Sequence, residues 1–159
     1  MTTRFPFKPK STAHLRPGDF WAIPISGDRY GCGRVIALRQ PGQTGARSLL
    51  IVGLMNWIGK TPPRADDLRG LKTVEQAQIH LRSVLETGGV ILGNRPLEAD
   101  KIEPDYFLSE SPGKNCLLMK GYEFLRNATP EEQVTLQGFP TWGYVIIQHR
   151  AQALADSAA

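Results

Sequence analysis

Few residues in this chain are of a type that does covalent chemistry, and they are scattered. Cys32 would be the nucleophile, with His14, His80 or His149 as its base, since a thiol needs an imidazole within hydrogen-bond reach to act as a thiolate. No local spacing ties any of the three histidines to Cys32, and a cysteine in mid-strand is ordinarily a small, inert core residue. Neither Cys32 nor Cys116 has a Cys or His at metal-ligand spacing, so no metal site is expected. The acidic pairs Asp66-Asp67 and Glu131-Glu132 offer carboxylates for acid–base work. Each pair falls at a loop or helix N-terminus, however, where the helix dipole by itself favours negative charge. Gly31-Cys32-Gly33 lacks the third glycine and the following helix that would cradle a phosphate. No catalytic set and no cofactor site is read.

The elements that would position these residues start with a hairpin. Residues 16–38 give a tight turn, an apolar strand, the turn Ser26-Gly27-Asp28 and a second strand, because alternating apolar residues flank a cluster that favours positive φ. The second strand places Gly31 and Gly33 on one face and Tyr30, Cys32 and Arg34 on the other. Two glycines on one face predict a bend or a close backbone approach. Ser48–Trp57 is a nearly continuous apolar run, the pattern of a central strand covered on both faces.

Beyond it the spacing predicts a short turn of helix around Ala65–Leu68 and an amphipathic helix over 74–87. The latter rests on a Thr73–Gln76 capping box and on Val74, Ala77, Leu81, Val84 and Leu85 at helical spacing. Short strands follow at Val90–Leu92 and Asn115–Lys120, separated by an exposed connection over 98–113. A brief helix starts at Thr129-Pro130, a last strand runs over Tyr144–Gln148, and the tail from His149 is read as a frayed helix. The class is α+β: a curved antiparallel sheet or partly open small β-barrel with the 74–87 helix packed on it. Residues 1–15 read as an extended N-terminal arm docking through Phe5 and Phe7, and 16–159 as a single globular domain.

The 159 residues, 41% hydrophobic and 21% charged, suffice for a core that buries roughly 70% of the surface of the unfolded chain. No apolar stretch is long enough for a signal peptide or a membrane span. A cytoplasmic protein with two reduced, buried thiols is therefore expected, with no membrane partner. Nineteen basic against fifteen acidic residues give a net charge of +4, a mild excess that does not by itself make nucleic acid the expected partner.

With no catalytic set in the sequence pattern, the large aromatics and the lone strand charge are the residues suited to recognition. Trp21, Trp57 and Trp142 carry the largest apolar payload, and Trp57 is the best placed to anchor a partner because its strand runs out into a loop bearing Lys, Pro and Arg. Arg34, a charge in an otherwise apolar strand, either pairs internally or faces a partner. Tyr30 sits on the same strand face. Tyr30, Arg34 and Trp57 are the candidate partner-binding residues, with burial in the core the competing reading for Tyr30 and Trp57.

The segment from Pro17-Gly18-Asp19-Phe20-Trp21-Ala22-Ile23-Pro24 through Gly27-Asp28-Arg29-Tyr30-Gly31-Cys32-Gly33-Arg34-Val35 resembles the opening of the immunity protein twenty-six family of bacterial polymorphic toxin systems, and Phe139-Pro-Thr-Trp142-Gly143-Tyr144 is compatible with it. The resemblance implies a small cytoplasmic protein that binds and neutralises a cognate secreted toxin, with no catalytic residues to carry over. Two alternatives stand beside it. Pro17-Gly18-Asp19 leading into an apolar strand also resembles the small-barrel endoribonucleases of toxin–antitoxin pairs, an RNA-directed reading in which Arg34 would serve; the chain lacks their Arg-Pro dipeptide. The third is a general peptide- or small-molecule-binding module.

The purified protein is expected to show no hydrolase or nuclease activity of its own. Assays on RNA, DNA and ester substrates check this, and RNA cleavage abolished by an Arg34 substitution would contradict it.

Overall fold

The computed structural model describes residues 4–109 and 113–157. The start of the arm, the middle of the 98–113 connection at 110–112 and the last two residues of the tail lie outside them. The hairpin forms as its residues dictate: β1 (Asp19–Ile25) pairs antiparallel with β2 (Arg29–Leu38), across a turn in which Gly27 and Asp28 both take positive φ. β3 (Leu49–Gly59) lies against β2 and is followed by a 3₁₀ turn at Ala65–Leu68. β4 (Thr73–His80) pairs with the far side of β3, which makes β3 a central strand.

The main helix is not over 74–87. The short helix α1 (Arg82–Leu85) follows β4 directly, and Thr73–His80 is strand because it pairs with β3 over 49–55. Its seven registered pairs with β4 run from Leu49–His80 to Met55–Thr73. Ala77, Ile79 and Leu81 follow a period of two and point into one core. Gln76 brackets backbone rather than capping a helix: its amide donates to Glu103 O at 2.9 Å and accepts from Asp105 N at 2.8 Å.

β5 (Gly93–Asn94) adds to the outer edge of β1, so the Val90–Leu92 strand appears two residues later than expected. Ile91 instead makes an isolated bridge with Phe7 of the arm. β6 (Tyr106–Leu108), β7 (Leu117–Lys120) and β8 (Glu123–Asn127) form a separate antiparallel three-stranded sheet, which gives the 98–113 connection a strand of its own. α2 (Pro130–Thr135) starts on the expected capping box: Thr129 Oγ1 accepts from Glu132 N at 3.2 Å and the Glu132 carboxylate accepts from Thr129 N at 2.8 Å. Arg126 holds the same carboxylate with two hydrogen bonds of 2.7 and 2.9 Å. This pairing, with the Thr129 amide, brings its pKa down to about 2.

β9 (Thr141–Trp142) pairs parallel with β4 and closes the six-stranded order β5-β1-β2-β3-β4-β9. The segment expected as a last strand is helical: α3 spans Tyr144–Ser157. Its local β-branched residues Val145 and Ile146 yield to the buried stripe Ile147, Ala151 and Ala155, one residue per turn. The result is a mixed α+β fold with two unclosed sheets.

Two cores follow from strand alternation. Trp21, Ile23, Val35, Leu50, Val52 and Ile79 face α3 through Ile147 and Ala151. Phe20, Cys32, Ile36, Ile51 and Met55 face the opposite way, under Leu68, Leu97, Ile102 and Phe107. The glycines of β2 are close-approach positions. A Cβ on Gly31 would stand 3.0 Å from the Ala151 Cβ, and one on Gly33 would stand 2.4 Å from the Trp21 ring, its cross-strand partner. Gly33→Ala is expected to cost about 1–3 kcal/mol by overpacking, while Gly143→Ala, with no neighbour within 4 Å, should stay within about 0.5 kcal/mol of wild type. Urea unfolding of the two variants measures this, and equal midpoints would contradict the packing account.

Candidate functional site

Arg34 projects from β2 into the second core and is 0% exposed. A guanidinium taken out of water is stable only when paired and hydrogen-bonded. The turn at 95–100 supplies both. Arg34 Nη1 donates to Asp100 Oδ2 at 2.9 Å, and Nη2 donates to the carbonyls of Arg95 at 2.6 Å and Pro96 at 3.0 Å.

Asp100 is the centre of this network. Arg95 grips its two oxygens from Nε at 2.8 Å and Nη2 at 2.9 Å, and the Gly70 amide donates to Oδ1 at 2.7 Å. Lys72 Nζ closes the turn from outside by donating to the carbonyls of Asp100 and Lys101. The hydrogen bonds from Arg95, then from Gly70 and Arg34, hold the Asp100 carboxyl well below the usual carboxylate range against the opposing effect of burial.

The structure thus places Arg34 out of a partner's reach, inside the framework; of its two readings, internal pairing is the one realised. Sequence reasoning did not find Asp100 and Arg95. Sixty-six residues separate Arg34 from Asp100, and no local pattern marks so distant a pair. The one signal was the lone charge of Arg34 itself, which demanded an acid somewhere.

Cys32 lies beside Arg34 in the same core, fully buried, and burial pushes its thiol pKa up, outweighing the lowering effect of Arg34. It is therefore a protonated core thiol. His80 is exposed at the end of β4, where Nδ1 accepts from Arg82 N at 3.0 Å. His14 and His149 are exposed on the turn after the arm and on α3. Among the described residues no group of three or more His, Cys, Asp or Glu could hold a metal ion. The pair Asp66-Asp67 serves the 3₁₀ turn, with Asp67 Oδ2 accepting from Arg64 N at 2.8 Å.

Tyr30 and Trp57 both lie at the open end of the β2–β3 ladder. Tyr30 is registered opposite Gly59, and the Trp57 ring occupies the space over Gly59, 2.4 Å from where a Cβ would be. Gly59 therefore has to be glycine for the indole to lie flat there. Both aromatics are half-buried: Trp57 packs its inner side on the second core and keeps an outer side in solvent. Trp21 and Trp142 are core residues, at 0% and 2% exposure.

A sheet framework with an internal ion-pair network and an aromatic end on its surface has the parts of a recognition fold. The family model for Immunity protein 26 matches residues 16–114, from just before β1 to the loop ahead of β7. The chain belongs to this family. The match takes in Tyr30, Arg34, Trp57, Arg95 and Asp100, and leaves β7 to α3, with Phe139–Tyr144, outside it. No curated protein and no solved structure matches the chain. Among the described residues no helix is long and apolar enough to cross a membrane.

Asp100→Asn leaves two guanidiniums around a neutral group and is expected to cost about 3–5 kcal/mol, the usual cost of breaking a buried pair. Because the folded pKa of Asp100 lies below its unfolded value, its contribution is complete above about pH 4 and is lost as pH falls from there towards the folded pKa. Denaturant titrations from neutral to acid pH should show a constant gap between wild type and variant that narrows below about pH 4. A gap that stays constant down to the lowest pH at which the protein folds would contradict the assigned charge state.

Proposed function

We propose that this protein is the immunity partner of a secreted bacterial toxin, which it binds non-covalently in the cytoplasm of the producing cell and thereby neutralises. Membership of the immunity family carries the reading. The residues support it: the candidate nucleophile Cys32 is buried and protonated, whereas the aromatics at the β2–β3 end are presented outward in part. Tyr30 and Trp57 are the proposed anchors, and Arg34 acts one layer beneath them by fixing β2. The burial of Arg34 also removes the residue on which an endoribonuclease reading relied.

Interfaces concentrate affinity in a few aromatic anchors. The test titrates purified protein with the toxin domain encoded beside it, and repeats the titration with Tyr30→Ala and Trp57→Ala while circular dichroism monitors folding. Each variant is expected to keep native structure and to lose at least about 2 kcal/mol of binding, roughly thirtyfold. Wild-type affinity in both folded variants would rule out this surface. Failure of the wild type both to bind the toxin and to protect cells expressing it would rule out the function.

A further inference from the structure

The net charge of the chain is localised. Residues 4–16 contain Arg4, Lys8, Lys10 and Arg16 and no acid; subtracting these four from nineteen leaves fifteen basic residues against fifteen acidic ones in the rest of the protein. The four line one open basin of about 530 Å³ together with Phe7, Ala13 and His14. Among the described residues none of the four is in an ion pair. Asp19, the acid nearest in sequence, is buried and already accepts from Arg16 N and Asn94 Nδ2, each at 2.9 Å.

The basin is also pre-organised. The Phe7 amide donates to Ile91 O at 3.0 Å and the Ile91 amide to Phe7 O at 2.8 Å, while the Phe7 ring packs on the first core. Further on, Thr12 N donates to Arg47 O at 3.1 Å and the Thr12 hydroxyl to Ala46 O. Ser11 Oγ accepts from Ala13 N at 3.2 Å and caps the turn that carries His14. The arm is thus strapped to the sheet edge, and Arg4, Lys8 and Lys10 are held in one region with Arg16, whose charge alone acts on an acid, the buried Asp19. Like charges kept together in this way repel one another and are relieved when an acidic surface meets them.

We propose that this basin is a docking surface for an acidic polypeptide patch on the partner, speeding association electrostatically while the aromatic anchors hold the complex. The proposal rests on the immunity reading for the identity of that partner. A protein is favoured over nucleic acid because the excess charge is confined to one basin, whereas a strand needs phosphate contacts along a track. Phe5 and Phe7 also face each other with ring centroids 5.7 Å apart, and Phe7 is committed to the core rather than open for base stacking.

The test compares the full-length protein with its Arg4→Glu/Lys8→Glu/Lys10→Glu variant, all three sites being exposed and outside the core. The probes are a short polyglutamate peptide and an oligothymidylate of equal charge, followed by fluorescence anisotropy at low and physiological salt, with circular dichroism as the folding control. The wild type is expected to bind the peptide at least about tenfold more tightly than the variant, no more weakly than it binds the oligothymidylate, and less tightly as salt rises. Equal peptide binding by the two proteins, or none by the wild type, overturns the proposal. So does tighter binding of the oligothymidylate that the variant loses, which would make the basin a nucleic-acid site. Should the triple variant fail to fold, Lys8→Gln/Lys10→Gln reads the same comparison. Toxin binding by the wild type is measured separately, so loss of the basin proposal with toxin binding intact leaves the immunity reading standing.

Discussion

A guanidinium in the middle of a sheet face has to be neutralised by groups from elsewhere in the chain, and the Arg34–Asp100 pair does this across sixty-six residues. Desolvating both charges costs several kcal/mol each, recovered only when nearly every polar atom is bonded. Here Asp100 takes hydrogen bonds from Arg34, Arg95 and Gly70, and Arg34 donates from Nη2 to two carbonyls, leaving only its buried Nε without an acceptor. The pair therefore fastens two irregular segments, around Gly70 and over 95–100, onto β2. Those segments bring Leu68, Leu97 and Ile102 down over Phe20, Cys32 and Met55. Without the pair the second core would have no fixed lid on this side.

The surface argued to bind a partner depends on the same strand. Tyr30 lies four residues before Arg34 on β2, opposite Gly59, and the Trp57 ring lies over Gly59 on β3. Fixing β2 from beneath keeps both aromatics in place, so a framework residue and the two proposed contact residues lie on one strand pair. The other face is secured differently, by Ala151 of α3 against Gly31 and by Trp21 against Gly33. Trp21 also donates from Nε1 to Thr87 Oγ1 at 2.9 Å. One framework is thus packed from both sides.

Local signals in the sequence were reliable where the structure is itself local. The Ser26-Gly27-Asp28 turn, the 3₁₀ turn at Ala65–Leu68, the Thr129 capping box and the central apolar strand all form from neighbouring residues. β4 was not legible as a strand, because Thr73 and Gln76 fit a helix cap equally well and only pairing with β3 decides between the two. Val145, Ile146 and Ile147 favour a strand by their β-branching, yet Ala151, one turn beyond Ile147, fits α3 against Gly31. The partner of Arg34 left no pattern, since tertiary contact alone creates it. Of the proposed surface, Tyr30 and Trp57 were nominated from residue type and place in the chain, whereas the gathering of the arm's cations into one basin depends on the Phe7–Ile91 bridge.

The framework built on Arg34 and Asp100 is distinct from the proposed contact surface, which is the β2–β3 end and the N-terminal basin. Amide hydrogen exchange of the protein alone and bound to its toxin measures that separation directly. The expected result is added protection at residues 29–31, 57–60 and 5–16, with residues 95–100 equally protected in both states. Protection gained chiefly at 95–101 and 70–72, with the aromatic end and the arm unchanged, would contradict it and make the ion-pair turn the contact surface.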